Sequence, residues 1–229
     1  MLKINFARRI PNAPPHYNGA PSQDYLIALV DPDRDEFTLD LIRWGLIPHY
    51  SKDGKVKLIN AVAETADTKA AFAESFAKRR CLVPIDGFFE WKKIGKRKQP
   101  YMIAMADRQP FTLAGLWRDW KDPKSGDLAR TFTIITTEPN ELLAKIHDRM
   151  PVVIAPEDRE RWVKGPNPKE LLKPFPADLM TMWPVSPDLN SPKNDRPDLL
   201  DPIEEPEGDG EPVKRADEGD ADREPTNSD

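Results

Sequence analysis

The sequence predicts an α+β domain built on a mainly antiparallel, barrel-like sheet with a few peripheral helices. Two observations carry that class. Short segments rich in β-branched and aromatic side chains recur between turn signals, the pattern of consecutive strands. Stretches with helical spacing of apolar residues are few and short, and no internal repeat or Gly-rich phosphate loop interrupts the series.

Residues 25–30 and 37–44 are the first two strands, separated by the turn-forming run Asp31-Pro32-Asp33. Residues 66–80 then place Ala70, Phe72, Ala73, Phe76 and Ala77 near helical spacing. Lys78, Arg79 and Arg80 complement the dipole at the C-terminal end of that helix. Strands follow at 81–85, 88–91, 101–106, 111–117 and 131–136. Thr137, followed by Glu138 and Pro139, caps a short helix that runs to Lys145. The strand 152–154 precedes a helix that starts at Pro156 and stops at Gly165, because proline suits the first turn and glycine the position after the last. Leu2 to Arg9 read like the end of an amphipathic helix.

Of the 229 residues, the last 35 differ in composition from the rest. Residues 195–229 hold fourteen Asp and Glu against four Lys and Arg, five prolines and no aromatic residue. Such a stretch buries too little apolar surface to offset its ordering entropy, so it is read as an acidic, Pro-rich, disordered tail after a domain at 1–194. It carries a charge of −10 within a whole-chain charge of −5, which leaves +5 on residues 1–194. A mildly basic domain is compatible with a phosphate-binding face. The tail is read as a solubility extension, with competition against DNA for that face as the alternative.

The single cysteine excludes an internal disulfide and a cysteine metal cluster. His16, His49 and His147 show no metal-ligand spacing, so no metal and no cofactor is expected. No apolar run is long enough to span a bilayer and no signal peptide opens the chain, which places it in the cytoplasm, expected as a monomer.

Three polar groups stand where an apolar frame does not need them. In Gly87-Phe88-Phe89-Glu90-Trp91, alternation puts Phe88 and Glu90 on one face. A carboxyl framed by aromatics is desolvated and its pKa rises toward values useful to a general acid and base; a surface ion pair with Lys92 or Lys93 is the structural reading. His147, in Ile146-His147-Asp148-Arg149-Met150-Pro151, lies beside an apolar strand, where an imidazole either shares protons or simply holds a turn. Asn60 follows Leu58-Ile59 and opens Asn60-Ala61-Val62-Ala63-Glu64-Thr65, so its amide either faces a pocket or forms a turn.

These three segments, together with Tyr17-Asn18-Gly19-Ala20-Pro21 and Trp44-Gly45-Leu46-Ile47-Pro48, resemble the SRAP family of SOS-response-associated peptidases, which shield abasic sites in single-stranded DNA. The resemblance runs from about Tyr17 to Asn194. It implies a catalytic glutamate at Glu90, a catalytic histidine at His147, an asparagine at Asn60 that orients the nucleophile, and a phosphate clamp at Arg149, whose planar fork suits phosphate oxygens. It also implies a wedge that unstacks DNA, with Pro21, Trp44, His49 and Tyr50 the nearest equivalents, and a polar contact to the abasic sugar at Thr136. Trp44, before Gly45, reads more readily as core than as contact, and Thr136 is equally well explained as a strand-end cap. Two departures stand out. Family members begin Met-Cys-Gly-Arg, with the cysteine as nucleophile, whereas position 2 here is Leu2. The family arginine two residues after the asparagine is Val62. The expectation is a start upstream of Met1 that supplies the cysteine and makes this an abasic-site crosslinking protein. The alternatives are a nucleophile-free protein that binds single-stranded or junction DNA, and a hydrolase or lyase using Glu90 and His147 on a small substrate. Cys81, within an apolar run, is read as core.

Overall fold

A computed structural model describes residues 12–31 and 36–205. Its centre is a ring of five strands. β1 (Asp24–Asp31) pairs antiparallel with β2 (Glu36–Trp44) over its full length, and also with β4 (Arg80–Ile85). β4 pairs with β7 (Phe111–Lys121), β7 with β8 (Leu128–Thr137), and β8 returns to β2 in a parallel pairing that closes the ring. The short β3 (Asn60–Val62) lies parallel on β8, while β9 (Met150–Pro151) and β10 (Val153–Ile154) add to β8 and β7. A second, three-stranded antiparallel sheet has the order β11 (Met180–Pro184), β6 (Arg97–Met105), β5 (Phe88–Ile94). The expected barrel-like, mainly antiparallel α+β fold is therefore present, with β2–β8 and β3–β8 as its parallel pairings.

Closure depends on a glycine. Gly115 sits in β7 between Cys81 of β4 and Ile134 of β8, and a Cβ there would lie 2.8 Å from Cys81 Sγ and 3.3 Å from the Thr133 carbonyl. The lack of a side chain lets both neighbours approach. Ile27, Leu29, Ile42, Cys81, Leu113, Trp117 and Phe132, drawn from all five ring strands, fill the interior. A second cluster covers the outer face under the helices, with Trp162 fully buried against Phe76.

The helices are shorter than the sequence suggests. The expected helix at 66–80 is helical only over α1 (Ala73–Lys78), because Arg80 already belongs to β4 and residues 66–72 form turns that bury Ala66, Ala71 and Phe72. Thr137 is the last residue of β8 and not a cap. Asn140 does that work: its Oδ1 accepts from the N–H groups of Leu142 (3.1 Å) and Leu143 (2.9 Å) at the start of a 3-10 turn over Leu143–Lys145. The stretch from Pro156 to Gly165 is as expected, a 3-10 turn leading into α2 (Arg159–Lys164) with Gly165 as the terminating residue. The expected helix at Leu2–Arg9 lies outside the described residues.

The domain boundary moves. Residues 195–205 are packed rather than free: Leu199 is fully buried with Met102, Val185 and Leu189, and Trp183 Nε1 donates to the Leu200 carbonyl. Asp195 accepts from the backbone N–H of Tyr17 (2.6 Å) and Asn18 (3.0 Å), and Asn18 Nδ2 lies within hydrogen-bonding distance of the carbonyls of Leu189, Ser191 and Asn194. Composition averaged over the tail hides two leucines and one well-placed carboxylate. Residues 206–229, the rest of the expected disordered tail, lie outside the described residues.

Candidate functional site

The second sheet sends its two faces to different tasks. Phe89 and Trp91 pack toward Val185, Leu189 and Leu199, while Phe88 and Ile103 join Tyr101, Leu143, Met150 and Met180 in a separate cluster. Glu90 shares the second face, since it alternates with Phe89 and Trp91 and stands opposite Tyr101 in the β5–β6 register. Gly87 makes the approach to β5 feasible: a Cβ there would meet Met102 Cε at 2.1 Å and the Ile103 carbonyl at 2.6 Å. Leu143, Ile146 and Met150 press the loop that carries His147 onto this apolar floor.

The result is a carboxylate and an imidazole facing each other. His147 Nε2 is 3.7 Å from Glu90 Oε2, and the Glu90 side chain is only 21% exposed. Burial raises the Glu90 carboxyl above its ordinary value; His147 and the Trp91 N–H act against that rise, and Asp148 adds to it. The alternative of a surface pair with Lys92 or Lys93 is not adopted, because Lys92 bonds to Glu205 instead. At the other ring nitrogen, Nδ1 of His147 is 3.1 Å from both the N–H and the carbonyl of Arg149, and 3.3 Å from Asp148 Oδ1. A bare Nδ1 accepts from the Arg149 N–H and a protonated Nδ1 donates to the Arg149 carbonyl, so this nitrogen has a partner in either tautomer.

Arg149 is held from two sides. Its Nη1 and Nη2 bind Glu64 Oε1 and Oε2 at 2.8 and 2.9 Å, and Nη2 also donates to the Thr136 carbonyl at 2.6 Å. Its buried Nε lacks a hydrogen-bond partner. Thr136 is buried within β8, opposite Val62 on one side and Pro151 on the other, so it is no strand-end cap. Asn60 is exposed on β3, opposite Ile134 and two residues from Val62, which places its strand next to the Thr136–Arg149 contact. No contact joins Asn60 to Glu90 or His147 among the described residues.

The expected wedge residues divide. Trp44 is partly buried against the barrel core: it stacks on Phe132 at 16° and donates to the Ile59 carbonyl. His49 is tied to Arg118 at 3.4 Å and touches Tyr50 edge-on. Tyr50, 53% exposed, and Pro21, in an exposed turn before β1, remain on the surface. Cys81 is fully buried and its thiol is pushed well above the usual range by desolvation, which removes it as a nucleophile. Sequence reasoning missed Glu64 as the partner of Arg149, and it missed Lys92, Tyr101 and Glu205. Glu64 stood within the segment Asn60 to Thr65, but a partner 85 residues distant leaves no local signal. Among the described residues no group of three His, Cys, Asp or Glu is arranged for a metal, and no helix is long and apolar enough to cross a membrane.

Fold and site together define a protein whose barrel and flanking sheet present a facing carboxyl and imidazole and a braced arginine. Comparison with known proteins gives that arrangement a family. The profile of the SOS response associated peptidase (SRAP) family matches residues 2–192, so the chain belongs to that family. The abasic site processing protein YoqW of Bacillus subtilis is 42% identical over 195 residues, covering 82% of this chain and 86% of the relative. YedK of Escherichia coli, also called an abasic site processing protein, is 35% identical and covers 89% and 93%. A crystal structure of a Bacteroides thetaiotaomicron protein superimposes with a TM-score of 0.72 at 32% identity, covering 80% of this chain and 82% of that one.

Proposed function

We propose that this protein processes abasic sites in single-stranded DNA and, given an N-terminal cysteine, links itself covalently to the lesion. The observation that carries the reading is the Glu90–His147 pair, a carboxyl with a raised pKa aimed at an imidazole across 3.7 Å. The names of the relatives in Bacillus subtilis and Escherichia coli support abasic sites as the target.

An abasic site exchanges between a closed sugar and an open-chain aldehyde. The α-amine of an N-terminal cysteine adds to the aldehyde carbon, water leaves to give an imine, and the thiol then adds to the imine carbon to close a thiazolidine. Glu90 protonates the ring oxygen as the sugar opens and the hydroxyl that departs as water, and it takes protons from the attacking amine. His147 shares that traffic. Asn60 orients the nucleophile, Arg149 holds a phosphate through the Nη1 hydrogen that Glu64 leaves free, and Thr136 lies near the sugar. Pro21 and Tyr50 offer apolar surface to an unstacked base.

The test is a protein carrying a Met-Cys-Gly-Arg start, mixed with an abasic single-stranded oligonucleotide and run on a denaturing gel. A slower band that vanishes in Glu90→Gln is expected, and its absence in the parent would overturn the crosslinking reading. A second reading rests on the burial of Cys81: without an N-terminal cysteine the protein binds DNA and does not link to it. Its affinity then falls as salt rises, through counterion release.

A further inference from the structure

We propose that Lys92 and Tyr101 form an anion subsite beside Glu90 that takes a backbone phosphate of the bound strand, and that Glu205 occupies this subsite when DNA is absent. The inference rests on the DNA reading above. Tyr101 is 3% exposed, yet its hydroxyl donates to Glu205 Oε1 at 2.5 Å. Lys92 Nζ meets the same oxygen at 2.9 Å and lies 5.8 Å from the centre of the Tyr101 ring. A buried phenol and an ammonium converging on one carboxylate oxygen are donors that would serve a phosphate oxygen equally well.

The place matters as much as the chemistry. Tyr101 is the cross-strand partner of Glu90, and Lys92 follows Glu90 by two residues on the same face, so the subsite adjoins the acid–base pair. Glu205 does not arrive by chance, because the backbone is led there. Val185 bridges Pro202, and the Ile203 N–H donates to the Pro184 carbonyl at 3.0 Å, which lays residues 202–203 along the end of β11. In the sequence, residues 206–229 add nine Asp and Glu against three Lys and Arg, so displacement of Glu205 by a nucleic acid also separates like charges. The acidic C-terminal segment thus acts as a competitor within the same chain.

The experiment measures the affinity of the full chain for an undamaged single-stranded oligonucleotide across a salt series. Glu205→Gln is expected to tighten binding by about 3- to 10-fold at low salt. Lys92→Gln should weaken it by a similar factor and lower the salt slope by about one. In the Lys92→Gln background, Glu205→Gln should lose its effect. Glu204→Gln, one residue away and in an exposed position, should change affinity by less than about 2-fold if the subsite and not net charge is responsible. Equal effects at Glu204 and Glu205, tightening that persists without Lys92, or no change at Glu205 would each overturn the subsite. If the wild type binds and Glu205→Gln is silent, this inference alone falls; if no variant binds DNA, the DNA reading falls with it.

Discussion

Arg149 and Glu64 meet as a two-pronged ion pair across 85 positions of sequence, with Nη1–Oε1 at 2.8 Å and Nη2–Oε2 at 2.9 Å. The pair holds the Glu64 carboxyl below its ordinary range and leaves the guanidinium charged. It also fixes the loop after His147 against β3 and β8. Glu64→Gln removes the negative charge beside the arginine proposed to hold a phosphate. We expect binding of single-stranded DNA to tighten severalfold at low salt while Tm falls by less than about 4 °C, since a half-exposed pair contributes under about 1 kcal/mol. Anisotropy titration and calorimetry measure the two, and weaker binding would mean that Glu64 is needed to aim the guanidinium.

Glu90→Gln separates chemistry from binding. The amide keeps the shape but neither gives nor takes a proton, so crosslinking by the cysteine-bearing protein should slow by about 100-fold or more. Affinity for an abasic oligonucleotide should stay within about 3-fold, because no phosphate contact is lost. Equal losses in rate and affinity would recast Glu90 as a structural residue.

The raised Glu90 carboxyl has a stability signature. Because the folded state binds this proton more tightly than the unfolded chain, its contribution is complete below the ordinary carboxyl value of 4.5 and is lost as pH rises through the higher folded value. At neutral pH the ionised, desolvated carboxylate therefore costs stability. Glu90→Gln should raise Tm at pH 7 by roughly 2–4 °C, the shift produced by about 1 kcal/mol in a domain of this size, and the gain should shrink toward pH 4. A Tm gain independent of pH would contradict this.

Arg80 is a buried cation without a carboxylate partner among the described residues. Its guanidinium donates to the carbonyls of Trp162 (2.5 Å), Phe76 (2.8 Å) and Gly165 (3.1 Å), and so caps the C-terminal ends of α1 and α2 together. The helix dipoles favour a positive charge there. Arg80→Met keeps the apolar stem but strands these carbonyls, and should lower unfolding free energy by about 2–4 kcal/mol in a denaturant titration. A loss below about 0.5 kcal/mol would show that water replaces the guanidinium.

Much of the fold could be read from the chain because its cause is local. The eight expected strands are all present, since alternation and turn residues are encoded within a few positions. What escaped was set by distant partners. β3 and β9 are too short to show a period and exist because β8 pairs with them. β11 contains Trp183 and Pro184 and reads as a loop until β6 supplies its ladder. The site followed the same division. Glu90 and His147 were legible from their apolar settings and from the family motifs, whereas the occupation of Arg149 by Glu64 and of Lys92 by Glu205 depends on residues brought together by folding.

Asn18 and Asp195 fasten the start of the described chain to its end, and this sets an order on synthesis. A nascent chain emerging from a ribosome presents Asn60, Glu90 and His147 before the carbonyls of Leu189, Ser191 and Asn194 exist to receive the Asn18 amide. The barrel strands are therefore complete while the N-terminal arm is still unfastened. Its capture waits for Asp195 and the carbonyls of Leu189, Ser191 and Asn194, so the first and last described stretches of the chain are fastened by one late-made set of contacts.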